Sequence, residues 1–366
     1  MRSAIAERAP RVPPRVPPRV PRRVPRRVGF VLPFVVVVTA LVALLAMAAI
    51  TTIWHGYRAT RLAANGVRAQ FAGDEGLALQ LDAWPAESLA AIAPGVTIST
   101  RVTTAVGDSV RVRITRTQPL VAWLTADVAL APLGTPGVVR RHVTRAMTLE
   151  PPALPIVGAL TAIAAVHAQN PTTIDGRDLA VAADACGMLR DTLSRVPIAA
   201  TALLDDPVGS WIGPPASLRL ADTATVRAAF DLAWMSVIAR SAVRVTDSVP
   251  QWLAPLPGWH ALLLDGPIVS LRTPAQWRGL LAVRGDLVVT GRFDVDGVLV
   301  VRGRLDARGA TLRIRGALVV ASLGSPDVQL GDDTRVQYDR CAVQMALATV
   351  AKPRAQPFSL WYSPLN

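Results

Sequence analysis

The chain has 366 residues, of which 51% are hydrophobic, and its net charge is +13. Nine arginines and one glutamate within residues 1–28 give a balance of +8, which leaves only +5 for the rest of the chain. This length suits a membrane segment followed by one large or two smaller domains. Because most of the basicity lies in one short segment, the net charge does not indicate a nucleic-acid-binding protein.

Residues 1–29 form a leader rich in arginine and proline, with the repetitive core RVPPRVPPRVPRRVPRRV. Proline at this density prevents helix formation and favours an extended polyproline geometry. We interpret the segment as a disordered leader that is discarded. Two alternatives stay open, namely a cytoplasmic recognition or anchoring arm and a translation start further along the chain.

The leader is followed by 28 residues, Phe30 through Tyr57, that include no Asp, Glu, Lys or Arg. As a helix they would span about 42 Å, more than the roughly 30 Å of a bilayer's hydrocarbon core. The segment is too long and too uniformly apolar for a cleavable secretory signal. Flanking arginines are concentrated before it, so we expect a cytoplasmic N-terminus and an ectodomain on the other side of the membrane.

Apolar residues continue at near-helical spacing from Ala63 to Leu81. One helix is therefore predicted over residues 30–84, ended by Pro85. Glycines in a helix interior cost about 1 kcal/mol each, so the second half of this helix requires support from tertiary packing. The glycines concerned are Gly66, Gly73 and Gly76.

Several short motifs surround this helix. A basic leader ends in glycine, an aromatic residue follows, and the segments R-x-A-A-N and A-x-x-E-G-L-A-L come after the apolar stretch. This N-terminal region resembles the start of type IV pilin-like proteins, and the PilX-type minor pilins most of all. The matching residues are Gly29, Phe30, Arg61, Ala63, Ala64, Asn65, Ala72, Glu75, Gly76 and Leu77.

The resemblance implies a processing and assembly route. A prepilin peptidase would cleave between Gly29 and Phe30, the new amino terminus would be methylated, and the helix would pack against a globular domain. The implied partners are the inner membrane and other minor and major pilins, in a type IV pilus or a type II secretion pseudopilus. Major pilins carry a Glu five residues into the mature chain, where this sequence has Phe34. In that respect it is similar to the K-type pseudopilins, which implies a low-copy priming or tip subunit.

The rest of the chain predicts an α+β protein with a mostly β ectodomain. Residues 85–150 alternate with period two, as in SVRVRITR from Ser109, and are predicted to be strands. Residues 151–270 form a mixed region with one helix near 223–242, because Val226, Phe230 and Val237 make an apolar stripe. A C-terminal tail covers residues 346–366.

Residues 271–345 contain six glycines at a spacing of six, separated by short β-branched or apolar runs. A strict hexad with a glycine turn predicts a β-solenoid, in which each strand stacks on the next. The segment loosely resembles the β-helix of bactofilins. An antiparallel meander is the alternative, because Asp296-Gly297 is a hairpin turn pair. The six glycines are Gly279, Gly285, Gly291, Gly297, Gly303 and Gly309.

No constellation of residues indicates catalysis or a cofactor. The four histidines lack zinc-ligand spacing, and nucleotide-binding and nucleophile-elbow motifs are absent. Arginines along the solenoid segment are interpreted as a solvated face rather than a nucleic-acid site, since aromatic residues are not interleaved with them. We therefore expect no enzymatic activity, no metal or cofactor, and no nucleic-acid partner.

The chain has two cysteines, Cys186 and Cys341. Outside the cytoplasm an even count permits one disulfide. Two buried free thiols are the alternative. Two functions from different classes also stay open: a non-enzymatic minor pilin or pseudopilin-like subunit, and an unprocessed single-pass membrane protein with a β-helical scaffold or adhesin ectodomain.

Overall fold

A computed structural model describes residues 31–83, 86–131, 138–163, 165–169, 172–178, 199–203, 210–212, 217–219, 223–240, 243–245, 258–272, 274–322, 327–331 and 333–362. The chain divides into two compact units, residues 1–61 and residues 62–366. Two hydrophobic cores lie in the second unit. One belongs to an antiparallel sheet and the other to a solenoid of parallel strands.

Helix α1 runs without interruption over Val31–Ala83 and is followed by the short helix α2, Ala86–Ala91. The predicted long apolar N-terminal helix is therefore confirmed. It is the one helix within the described ranges that is long and apolar enough to cross a membrane, with a mean hydropathy of 2.8 over its most apolar window. All side chains from Val31 to Ala64 are exposed.

Five strands form an antiparallel sheet. Four of them follow one another, β1 (Thr97–Thr103), β2 (Ser109–Gln118), β3 (Val121–Leu130) and β4 (Val139–Glu150), whereas β21 (Lys352–Tyr362) comes from the end of the chain. Their order in the sheet is β1-β2-β3-β4-β21. Strands β2 and β3 alternate between buried and outward side chains, because successive side chains point to opposite faces of a sheet. The segment predicted as a tail thus supplies an edge strand.

The second half of α1 lies against this sheet through small residues. Gly66, Ala69, Ala72, Gly73 and Gly76 are all buried on the contact side. A Cβ at Gly73 would lie 2.7 Å from Cγ2 of the Val143 side chain, and one at Gly76 would lie 2.8 Å from Cγ1 of Val110. Glycine lowers helix stability at these positions, but it lets the helix backbone come closer to the sheet than any residue with a side chain would allow.

Ion pairs and hydrogen bonds lie around this apolar contact. Arg145 pairs with Asp74 of the helix at 2.5 Å, and Arg68 pairs with Asp108 at 2.9 Å. The Glu75 carboxylate accepts a hydrogen bond from the Ala105 backbone N–H at 2.7 Å. These polar contacts fix the rotation of α1 about its own axis, which keeps the glycines facing the sheet.

Most of the remaining strands build a solenoid. Their bounds are β5 (Gly158–Ala162), β6 (Ala165–Ala168), β7 (Thr173–Asp175), β8 (Ala199–Leu203), β9 (Ser210–Ile212), β10 (Ser217–Arg219), β11 (Val243–Val245), β12 (His260–Leu264), β13 (Ile268–Leu271), β14 (Ala275–Val283), β15 (Asp286–Val289), β16 (Arg292–Val301), β17 (Leu305–Ala307), β18 (Thr311–Val320), β19 (Asp327–Leu330) and β20 (Arg335–Tyr338). Every pairing among them is parallel. The predicted solenoid is confirmed, and the antiparallel meander is wrong.

The glycine hexads mark the corners of a three-sided coil. Gly279 pairs with Gly297, and Gly297 with Gly316, so that three hexads make one turn. At all three positions φ is positive, between +125° and +140°, and the long strand bends there from one side of the coil to the next. A Cβ at Gly297 would lie 2.2 Å from the carbonyl oxygen of Gly279, which leaves glycine as the residue that fits.

The stacking order of the coils differs from their order in the chain. The coil formed by the second half of β18, by β19 and by β20 pairs on one side with the preceding coil and on the other with β5, β6 and β7. The last repeat is therefore covered by a segment about 160 residues earlier in the sequence. The solenoid thus extends beyond the predicted 271–345 to include strands from 158 onward.

Two further helices complete the solenoid core. Helix α3 (Thr223–Arg240) occupies the segment predicted to be helical near 223–242 and buries Phe230 and Trp234, whose rings stack at 5.9 Å. Helix α4 (Arg340–Ala348) is capped by the Asp339 carboxylate, which accepts from the Ala342 N–H at 3.0 Å. Ala348, at the end of α4, packs into the core of the antiparallel sheet, so the two cores meet there.

Replacement of Gly297 by alanine is expected to destabilise the solenoid by at least about 3 kcal/mol, since φ is positive and the new Cβ would meet backbone. Gly309 belongs to the same hexad series, but a Cβ added there would have no atom within 4 Å, so Gly309→Ala is the matched control. Chemical unfolding of the two variants measures the difference. Equal stability of the two proteins would contradict the coil register.

A second pair of substitutions tests the helix contact. Gly73→Ala should lower the free energy of unfolding by about 1 to 2 kcal/mol, because overpacking against Val143 outweighs the gain in helix propensity. Gly56→Ala, in the same helix with no neighbour within 4 Å, should lose nothing. Thermal unfolding in detergent compares them, and an unchanged melting temperature for Gly73→Ala would show that the helix does not approach the sheet this closely.

Candidate functional sites on the helix and the solenoid

The predicted processing residues, Gly29 and Phe30, lie outside the described residues. Phe34 lies near the start of α1, where its side chain is 67% exposed. No acidic residue occurs in α1 before Asp74. The apolar half of the helix therefore offers no carboxylate to a cation on a neighbouring chain, and an unpaired charge placed there would be costly in lipid.

Cys341, the second residue of α4, is disulfide-bonded. Its predicted partner Cys186 lies outside the described part of the chain. The Cys186–Cys341 pairing therefore stays a prediction.

The arginines of the solenoid segment do not form a free basic stripe. Each of the eight arginines between positions 278 and 315 has an Asp carboxylate within 4 Å, so most of their positive charge is compensated locally. The pairs are Arg278–Asp296, Arg284–Asp265, Arg292–Asp294, Arg302–Asp231, Arg304–Asp286, Arg308–Asp306, Arg313–Asp333 and Arg315–Asp296, with N···O distances from 2.7 to 3.9 Å.

One side of the solenoid, which we call the polar face, presents an open cleft of about 560 Å³. It is built by residues 275–278, 293–296, 312–315 and 335–338 of four successive coils. In every coil two of these side chains point into the core and the other two point outward. The outward side chains are Gln276 and Arg278, Asp294 and Asp296, Arg313 and Arg315, and Arg335 and Gln337.

Ion pairs between coils hold the centre of this cleft. The Asp296 carboxylate lies 3.3 Å from Arg278 on one neighbouring coil and 2.9 Å from Arg315 on the other. The Arg278 guanidinium also stacks over the Trp259 ring, 4.8 Å from its centroid. These contacts restrict the rotamers of long side chains before any ligand arrives.

The ends of the cleft are less constrained. Arg335 forms no ion pair within the described ranges, and no hydrogen bond to the Gln276 or Gln337 side chain is found there. Asp294, on the second coil, pairs with Arg292 at 2.9 Å, and its Oδ1 atom is shielded from solvent. Among the described residues, the cleft thus combines fixed central charges with unoccupied polar side chains at its two ends.

Asp339 lies beside one end of the cleft, 3.4 Å from Arg315, with a side chain that is 1% exposed. Burial raises the pKa of Asp339, and the hydrogen bond from the Ala342 N–H opposes that shift. Its carboxylate therefore has two roles, as the cap of α4 and as a partner that orients Arg315.

A buried arginine that the sequence interpretation overlooked organises the antiparallel sheet. Arg116 is 1% exposed and donates hydrogen bonds to the carbonyl oxygens of Ala90 at 2.7 Å and Ile92 at 2.8 Å, and to that of Pro119. Burial lowers its pKa to about 10, so it remains a cation at neutral pH. The sequence pattern could have predicted its burial, because position 116 continues the alternation that buries Val110 and Ile114.

Within the part of the chain that the structure describes, no group of three or more His, Cys, Asp or Glu side chains could hold a metal ion. His142 and Asp127 approach at 2.5 Å on the solvent side of the antiparallel sheet, where Arg113 also pairs with Asp127 at 2.8 Å. This pair lies on an exposed sheet surface and not in the cleft.

A scan against protein-family models, a search of curated proteins and a search of solved structures each found no match for this chain. Function is therefore inferred from the residues and the geometry alone.

The disulfide prediction can be tested directly. We expect mass spectrometry of natively purified protein, digested without reduction, to find one peptide pair that contains Cys186 and Cys341. Such a bond would close a loop of about 155 residues, which the chain-entropy model values at about 4 to 5 kcal/mol. Alkylation of both thiols in the native protein would rule the bond out.

Proposed function

We propose that the protein is a non-enzymatic, pilin-like subunit that is inserted in the inner membrane through α1. A prepilin peptidase would cleave it between Gly29 and Phe30, and it would then join other minor and major pilins in a pilus or pseudopilus. The observation that carries the proposal is one continuous helix with an exposed apolar first half and a glycine-lined second half packed on an antiparallel sheet.

The two halves of α1 fit two successive environments. The apolar half is suited to lipid before assembly and to the helices of neighbouring subunits afterwards. Lipid tails and the apolar side chains of a neighbouring helix are about equally apolar, so the same surface fits both. The second half is held by Gly73 and Gly76 against the sheet. One helix would thus serve both as the assembly element and as part of the ectodomain core.

Phe34 favours a low-copy position for such a subunit. A charged amino terminus in an apolar fibre core requires an anionic partner. This chain supplies no carboxylate in the apolar half of α1, so it would not neutralise the amine of a repeating neighbour. The large ectodomain would also crowd a helical lattice. A priming or tip subunit occurs once per fibre, so it has no repeating neighbour whose amine it must neutralise and no lattice for its ectodomain to crowd.

The alternative is a single-pass membrane protein that keeps its leader and uses the solenoid as an envelope scaffold or adhesin. The parallel, multi-coil solenoid favours this candidate, because such stacks form long, regular surfaces. The two functions differ in the mature N-terminus, which begins at Phe30 only in the first.

N-terminal sequencing of protein from native membranes distinguishes them. We expect a mature chain that begins at a methylated Phe30, and we expect Gly29→Leu to leave full-length protein in the membrane, because a bulky side chain would block the peptidase. Val28→Leu, at the residue before Gly29, is the control, because it enlarges a side chain next to the cleavage site without removing the glycine. Retention of residues 2–28 in the wild type would overturn the pilin proposal.

The copy number tests the position in the fibre. Quantitative mass spectrometry of sheared fibres should find far less of this chain than of the major pilin, and Phe34→Glu should not improve assembly. Near-equal amounts of the two subunits would contradict a tip position.

A further inference from the structure

We propose that the polar face of the solenoid binds an extended glycan chain that lies along the solenoid axis. The proposal concerns a site in residues 62–366 and does not depend on processing of the N-terminus. It therefore holds or fails separately from the pilin proposal.

The first argument is the regular spacing of the cleft. Parallel strands stack about 4.8 Å apart, so the four coils present outward pairs of polar side chains at equal intervals. Gln276 and Gln337 occupy the two ends, separated by three coil spacings, or about 14 Å. A linear polymer with a short, regular repeat can meet one pair of polar side chains on each coil.

The second argument is the mixture of donors and acceptors. Guanidinium groups donate only, carboxylates accept only, and the Gln276 and Gln337 amides do both. Sugar hydroxyls also donate and accept, so each can bridge such neighbouring groups. The Asp294 and Asp296 carboxylates would repel a polyanion. With the groups that pair across the cleft, five arginines (Arg278, Arg292, Arg313, Arg315 and Arg335) face four carboxylates (Asp294, Asp296, Asp333 and Asp339), so the net charge is only +1.

The same composition argues against a protein partner. The centre of a protein interface is depleted of charge and enriched in aromatic and apolar groups. The cleft has charged side chains at its centre, and the aromatic residue that lines it, Trp277, is only 6% exposed. A glycan can bind through hydrogen bonds from its hydroxyl groups, so its binding site does not require an apolar centre.

The third argument is that the site is already ordered. Asp296 is fixed by Arg278 and Arg315, and Arg315 is fixed in turn by Asp339. Side chains that are immobile beforehand lose little conformational entropy on binding. Gln276, Gln337 and Arg335 remain available for direct hydrogen bonds to the ligand.

The experiment is a binding titration with detergent-solubilised full-length protein. The probes are a neutral β-linked glucan hexasaccharide, a uronate hexasaccharide and a short DNA duplex. We expect saturable binding of the neutral glucan with weak salt dependence, and Q276A/Q337A should bind it at least about tenfold more weakly because two hydrogen bonds are lost.

The control is Gln329→Ala, which removes the same amide from an adjacent side of the solenoid, on β19 rather than β20. It should bind as the wild type does. Arg335→Ala gives an independent test if the double variant melts at a lower temperature. The proposal is wrong if the glucan does not bind, if only the uronate or the DNA binds with a steep loss on adding salt, or if Gln329→Ala weakens binding as much as Q276A/Q337A.

Discussion

The contact between α1 and the antiparallel sheet depends on the absence of side chains at two helix positions. Gly73 and Gly76 let the helix backbone reach Val143 of β4 and Val110 of β2, and the surrounding ion pairs fix its rotation. A larger residue at either position would push the helix away from the sheet core. The sheet it rests on is completed by β21, which follows the solenoid strands in the chain.

The solenoid also depends on contacts between segments that are far apart in the chain. Its coil from β18 to β20 is covered on one side by β5 to β7, which come much earlier in the chain. Such pairings are slow to form, because loop closure must precede the contacts that stabilise them. Helix α4 joins the two cores, since Ala342 to Leu347 contribute buried residues to the solenoid core and Ala348 belongs to the sheet core.

Sequence patterns predict the elements better than their assembly. The charge-free stretch defines α1, and the glycine hexads define the solenoid, because each pattern follows directly from local geometry. The stacking of β5 on β18 and the edge position of β21 depend on contacts between distant segments, which leave no periodic signal. In the sequence the polar face is visible only as scattered arginines, since Asp296 and Asp333 lie 18 to 20 residues from the arginines they pair with, one coil away. From the sequence alone, Gly73 and Gly76 are expected only to destabilise the helix, because their packing against the sheet is visible only in the structure.

Our central proposal is that the chain is a pilin-like subunit, and that the apolar half of its helix α1 contacts the helices of neighbouring subunits. A photo-crosslinking amino acid at position 34, in native membranes that contain the assembly machinery, tests this most directly. The account predicts a crosslinked product in which peptides of a second, pilin-like protein are joined to position 34, and its absence when cleavage after Gly29 is blocked. Crosslinks to lipid alone, with no protein adduct in the wild type, would contradict it.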